Sequence, residues 1–261
     1  MSRAVVYAGT RNIYHDMVTA AKSLIMNGGH VDKIYFLIED DAFPEPLPDL
    51  IRCRNVSKQT YFPPSGPNYE SHWTYMTLMR LVLPDLFPWE PQLLWLDVDT
   101  LVNGDLEPLW ETDLLGYALA AVPEPGRSAA PFVYYNAGVQ LIDMVNFSRE
   151  QERLVDLVNS RPLAFKDQDA INLLLQTRIK TLPAIWNSCQ WTGQPRDARI
   201  LHYAAERCYN QRASWLRIDA TEWRDIHASN EGPGIQADHR DGSADAGRRP
   251  AGRYRLRHRL Q

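Results

Sequence analysis

The chain has 261 residues, 44% of them hydrophobic, a net charge of −4 and an isoelectric point near 6.0. That is enough apolar material for one large domain with a sizeable core, and the slight acidity excludes general nucleic-acid binding as the leading reading. The three cysteines, Cys53, Cys189 and Cys208, are odd in number and lack metal-ligand spacing, which fits a reducing cytoplasm rather than a disulfide scaffold. The early apolar run, Ala4 to Ala8, is too short for a secretory leader. No stretch approaches a transmembrane span.

Charge divides the chain. From Ser229 onward there are seven arginines and four acids, a net +3, which leaves −7 on residues 1–228. Residues 229–261 are rich in Gly, Ala and Ser with few large aliphatics, so a disordered basic tail is expected after a single folded domain, residues 1–228. Arg248 to Arg259 suit weak contact with an anionic membrane surface. A solvated tail with no role fits the same composition.

In chain order, Val5 to Ala8 reads as a short strand ending at Gly9. A helix is expected from an N-cap at Asp16 to Asn27, stopped by Gly28-Gly29. Lys33 to Ile38 is a second strand. The loop between, Gly9 to Tyr14, carries neither a dinucleotide fingerprint nor a P-loop, although Asn12 or Tyr14 suits a base or ribose. Residues 43–49 and 63–68 are proline-rich loops. An amphipathic helix is expected from Glu70 to Leu83, ended by Pro84. Within it Arg80 is either a snorkelling surface arginine or a guanidinium aimed at a phosphate or carboxylate.

Leu93 to Leu96 is apolar at every position, as in a strand covered on both faces. It then presents two acids, Asp97 and Asp99. Strand alternation puts both on one side. Like charges at the end of a buried strand repel and resist desolvation, and a hard divalent cation relieves both problems. The spacing alone is weak, because two acids at i, i+2 occur by chance about once in a chain of this length.

Further strands are expected at Tyr117 to Val122, Val139 to Asp143, Ile179 to Leu182 and Ile200 to Tyr203. A Ser148–Gln151 capping box predicts a helix to Asn159. Another helix starts at Asp167, and its acidic first turn, Asp167 and Asp169, complements the helix dipole. Trp186, Asn187, Trp191 and Gly193 suit an acceptor sugar or a core.

Taken in order, Asn12-Ile13-Tyr14, Arg80, Leu96-Asp97-Val98-Asp99, Asn136-Ala137-Gly138, Asp167-Gln168-Asp169 and Leu201-His202 resemble the retaining glycosyltransferases of family 8, over roughly residues 4–210. The resemblance implies an α/β GT-A fold, a mixed sheet flanked by helices. It implies hexosyl transfer from UDP-glucose or UDP-galactose to a saccharide, glycan or protein acceptor, with manganese, or magnesium, as the metal. Asp97, Asp99 and His202 become the metal ligands, although a histidine after Ile200-Leu201 is by itself more often a core residue. Donor contacts are implied at Ala8, Thr10, Asn12, Tyr14 (stacked on uracil), Arg80, Val98, Asn136, Ala137 and Gly138. Asp167 and Gln168 lie beneath the sugar, the acid on its hydroxyls and the amide facing the anomeric carbon.

The chain departs from the family pattern in two places. Thr10 and Arg11 stand where an acid is usual, with Ile13 before Tyr14. The late His-x-x-Gly-x-x-Lys motif has Ala205 for its glycine and Cys208 for its lysine, with Arg207 as a substitute charge. Two alternatives follow: an inactive UDP-sugar-binding relative, and a sugar nucleotidyltransferase. A cytoplasmic enzyme, peripheral to a membrane's inner face or in a homo-oligomer, is consistent with the sequence.

Overall fold

A computed structural model describes residues 2–70, 74–204 and 212–226. Residues 205–211, with the departures at Ala205, Arg207 and Cys208, and residues 227–261, with the basic tail, lie outside them.

The strands are β1 (Ala4–Ala8), β2 (Lys33–Ile38), β3 (Ile51–Asn55), β4 (Gln92–Leu96), β5 (Thr100–Val102), β6 (Leu119–Pro123), β7 (Tyr135–Asp143), β8 (Ile179–Thr181) and β9 (Ile200–His202). Seven form one mixed sheet in the order β3-β2-β1-β4-β7-β6-β8, and β5 pairs with β9. β1 lies parallel to both β2 and β4, while β7 runs antiparallel to β4 and β6. The helices are α1 (Tyr14–Asn27), α2 (Leu83–Leu86), α3 (Glu107–Trp110), α4 (Met144–Ser160), α5 (Lys166–Leu174), α6 (Arg212–Asp219) and α7 (Trp223–Ile226).

Alternation along the strands sends residues to two cores. Val6, Tyr35, Leu93, Trp95 and Ile142 pack with residues 75–82, α2, α4 and α5. Val5, Phe36, Leu94, Leu96 and Leu141 pack with α1 on the other face. A sheet buried on both sides explains why the central strands read as unbroken apolar runs.

Several boundaries differ from expectation. Asp16 does not cap α1: a 3-10 turn, Arg11–Ile13, feeds directly into Tyr14, so Asp16 sits in the first helical turn. Of the helix expected from Glu70 to Leu83, residues 71–73 lie outside the described residues, and Tyr75–Val82 form a 3-10 helix followed by α2 with Pro84 in its first turn. Proline fits there, since that N–H lacks a helical partner and φ is already suitable. Ser148 does not open a helix. α4 starts at Met144, capped by Asp143, whose side chain accepts the Asn146 N–H at 2.7 Å. Ser148 lies inside α4 and donates to the Val145 carbonyl. β7 begins at Tyr135, so Asn136, Ala137 and Gly138 belong to a central strand. β3 was not expected; as an edge strand it is mostly exposed and lacks an apolar run.

Candidate active site

Parallel β1 and β4 are adjacent, with Val6 opposite Trp95. The loop bearing Thr10 and Asn12 and the turn bearing Asp97 and Asp99 therefore leave the sheet side by side, at the carboxyl ends where α/β sheets bind ligands. Trp95 and Asp97 share a side of the chain, and the indole N–H donates to Asp97 Oδ1 at 2.8 Å.

The β5–β9 pair brings in the histidine. Thr100 lies opposite His202, and the Tyr203 N–H donates to the Asp99 carbonyl at 2.9 Å. His202 Nε2 is then 3.3 Å from Asp99 Oδ1 and 4.0 Å from Asp97 Oδ2. One ligand atom from each of Asp97, Asp99 and His202 lies within 4.8 Å of the others. Two carboxylate oxygens and an imidazole nitrogen at that separation suit one manganese or magnesium ion. The partner geometry agrees. Asp97 turns Oδ1 to Trp95 and Arg80 and Oδ2 toward His202. His202 turns Nδ1 to Asn187 and Nε2 to the acids, and its ring also meets the buried Cys189 thiol. Ligand orientation by such outer partners is typical of built metal sites.

Electrostatics report the same need for positive charge. Burial disfavours a charge on His202, but Asp99 outweighs it and raises the imidazole to about 10. Burial likewise works against the Asp99 carboxylate, and His202 outweighs it, holding that acid below its usual range.

Arg80 is neither a snorkelling surface residue nor open to a phosphate. It is 2% exposed. Its guanidinium pairs with Asp97 and Asp167 at 2.8 Å each, donates to the Ala137 carbonyl and lies over the Trp95 ring. Residues three apart eclipse in a 3-10 helix, and Arg80 Nε also reaches back to the Thr77 carbonyl. Arg80 thus stands behind the acid pair as its brace.

Asp167 and Gln168 open α5, as the sequence implied. Burial is the main effect pushing Asp167 up to about 6, Arg80 pulls it down and Asp97 adds to the rise. Asp169 does the capping, accepting the Phe165 N–H at 2.9 Å and the Tyr134 hydroxyl at 2.5 Å. Gln168 accepts the Ala137 N–H at 2.8 Å, and its amide nitrogen lies 3.3 Å from both Glu124 and Tyr134.

Gly138 is glycine for a spatial reason. A Cβ there would lie 2.1 Å from His202 Cε1, so the imidazole rests on bare β7 backbone. Asn136 faces inward to Glu124 and Asn187. Ala8 ends β1 half-buried, and Val98, half-buried between the acids, packs on the α1 side of the sheet. In the first loop the Thr10 hydroxyl meets Asn12 Oδ1. Tyr14 departs from its expected place against a base. It is buried, stacked on Phe43 with centroids 4.9 Å apart, and its hydroxyl accepts the Glu39 N–H. Position 14 is the start of α1, which turns the ring into the core. Trp186 and Asn187 are also buried, so neither faces an acceptor. Sequence reading missed Trp95, Glu124 and Tyr134 as site residues and misassigned Asn187. The one available hint was Glu124, an acid directly after a buried strand.

A mixed sheet with an acid pair and histidine at the carboxyl end of its central strand defines a glycosyltransferase of the GT-A fold. The chain belongs to glycosyl transferase family 8, whose family model matches residues 5–207. Glycosyltransferase GlyE of Streptococcus pneumoniae serotype 4 is 34% identical over 200 residues, 71% of this chain and 47% of GlyE. General stress protein A of Bacillus subtilis is 29% identical over 134 residues, 45% of this chain and 47% of that protein. The chain thus spans about half the length of these relatives. The crystal structure of GlyE superposes with a TM-score of 0.67 at 26% identity, over 87% of this chain and 62% of GlyE. The galactosyltransferase LgtC, solved with donor and acceptor sugar analogs, shares the fold at 21% identity and a TM-score of 0.66, over 85% of this chain and 99% of LgtC. Family membership sets the nucleotidyltransferase reading aside. Among the described residues no helix is long and apolar enough to cross a membrane.

Proposed function

We propose that the chain transfers a hexosyl group, glucose or galactose, from a UDP-sugar to an acceptor hydroxyl with retention at the anomeric carbon. The observation that carries the reading is the Asp97–Asp99–His202 cluster beside Gln168 at the carboxyl end of the sheet. Those three residues would hold manganese or magnesium, and when bound the ion supplies Lewis-acid stabilisation of the departing diphosphate. Arg80 and Trp95 keep Asp97 oriented. The loop of Thr10 and Asn12, next to β4, is suited to the nucleoside end of the donor, with Tyr14 supporting that loop from the core.

The acids around the sugar side already have partners, which bears on stereochemistry. Asp167 is buried against Arg80. Asp169 holds Tyr134 and the Phe165 N–H, and Glu124 holds Asn136 and Arg127. Gln168 is neutral, and its carbonyl is occupied by the Ala137 N–H. Attack from the face the diphosphate leaves, with the leaving phosphate taking the acceptor's proton, requires no carboxylate nucleophile and supports retention. A saccharide, glycan or protein acceptor and a cytoplasmic location, at a membrane's inner face through the basic tail, complete the proposal.

The test is incubation with UDP-glucose or UDP-galactose plus manganese. Metal-dependent release of UDP supports the reading. Binding without release points to an inactive relative, and no binding of either donor overturns it.

A further inference from the structure

Four buried polar side chains form a hydrogen-bonded line leading away from the acid pair. His202 Nδ1 meets Asn187 Oδ1 at 2.8 Å, Asn187 Nδ2 meets Asn136 Oδ1 at 2.8 Å, and Asn136 Nδ2 meets Glu124 Oε1 at 2.7 Å. Amide oxygen and nitrogen look alike in shape, so the direction of such a line is ordinarily an assignment. Here a backbone group fixes it. The Gly138 N–H points at the same Asn136 atom, 2.9 Å away. A backbone N–H only donates, so that atom is the Asn136 oxygen. The other Asn136 atom is therefore nitrogen, and it faces a carboxylate that accepts. Asn187 must present its nitrogen to the Asn136 oxygen, which leaves its own oxygen against His202. The ring nitrogen meeting that oxygen must carry a proton.

We infer that Asn187 is a positioning residue: it holds His202 with a proton on Nδ1 and so reserves Nε2, the nitrogen nearest Asp99, as the ligand atom. The purpose of this arrangement rests on the metal-dependent reading above; the placement of the ring proton does not. Gly138 serves the line twice. Its N–H sets the direction, and its missing Cβ leaves the space that the ring occupies. Asn136 has both lone pairs of Oδ1 filled, by Gly138 and Asn187, so it acts through the line. The line ends on the Glu124 oxygen that also faces Gln168 Nε2 at 3.3 Å. One carboxylate thereby terminates the chain of bonds from the histidine and touches the amide assigned to the sugar.

An outer acceptor on the second ring nitrogen orients a ligating imidazole and raises its basicity, and losing one typically costs about 10–100-fold in metal affinity. Two substitutions isolate that role. Asn187→Leu keeps the volume and removes the acceptor. Asn187→Asp keeps an acceptor and removes the donation to Asn136. Manganese would be titrated into each, with free ion read by electron paramagnetic resonance. In parallel, the buried Nδ1 proton would be observed by NMR in metal-free protein and assigned by its loss in His202→Gln. Asn187→Leu is expected to lose about 10–100-fold in manganese affinity together with the ring-proton signal, and Asn187→Asp to keep both. Wild-type affinity with a retained signal in Asn187→Leu overturns the inference, as does an equal loss in Asn187→Asp. If Asn187→Leu does not fold, Asn187→Asp decides alone: retention supports the inference and loss overturns it. If the wild type binds no manganese, the metal reading fails by itself, and the metal-free ring-proton comparison still decides the role of Asn187.

Discussion

Arg80 and Asp97 are joined by a 2.8 Å ion pair in which the arginine is buried and the acid is 30% exposed. The same guanidinium holds the buried Asp167 at 2.8 Å. One cation thus links the acid at the end of β4 to the acid at the start of α5. The two elements are far apart in sequence, and this pair of bonds ties them together at the site.

Removing the cation should therefore cost stability first. Arg80→Met leaves Asp167 buried without its partner, and breaking a buried pair from one side costs about 3–5 kcal/mol. Asp97 can recover hydration because it is partly exposed. Adding Asp167→Asn to Arg80→Met should return much of the loss, giving a coupling of about 1–3 kcal/mol in a double-mutant cycle. Urea unfolding of the four proteins measures it. Strict additivity would show that Asp167 does not depend on Arg80.

Asp167 also predicts a pH dependence. Its carboxyl, ordinarily near 3.8, is pushed up to about 6, chiefly by burial. Between those values the native protein binds a proton that the unfolded chain has released. Stability then falls as pH rises. The contribution is fully present below the unfolded value and is lost as pH passes through about 6. Thermal melts of metal-free protein should show this decline, and Asp167→Asn should flatten it relative to wild type. Parallel profiles would exclude Asp167 as the titrating group.

Asp99 tests the metal role with less structural disturbance. It lies in the turn between β4 and β5 with a 37% exposed side chain, so Asp99→Ala should keep the fold. Manganese-dependent transfer and donor hydrolysis should both disappear. Near-normal turnover in a folded Asp99→Ala protein would remove the acid pair from the chemistry.

The parts legible in the sequence were those with a local pattern. Leu93 to Leu96 read as a strand because both of its faces are buried, but the alternation expected to run on through Asp97 and Asp99 stops at Leu96, where a turn takes over. Other parts depend on which of two local signals wins. Ser148 and Asp143 both suit a helix start, and the chain uses Asp143, because β7 runs straight into α4. Pro84 can stop a helix or begin one, and here it begins α2. Asn187 had no local signal at all. Its role arises from a contact with His202 across 15 residues and with Asn136 across 51. Tyr14 misled for the opposite reason: its type suited a base, but the register of α1 turns it onto Phe43.

Gly138 gives the sharpest steric prediction. It lies within β7 and has no positive φ, so alanine is acceptable to the backbone there. The obstacle is the imidazole, whose Cε1 would be 2.1 Å from a new Cβ, with Nδ1 at 2.7 Å and Nε2 at 2.8 Å. His202 must swing away, and β9 holds its backbone through the pairing of His202 with Thr100. The ring therefore leaves both Asn187 and the acids. Gly138→Ala should fold with a modest loss of stability, roughly 1–3 kcal/mol for overpacking, yet lose manganese binding, because the ring no longer meets the acids. Calorimetric titration of manganese alongside a melting curve separates the two effects. Intact metal affinity in Gly138→Ala would mean that His202 is not a ligand, whatever its distance from Asp99.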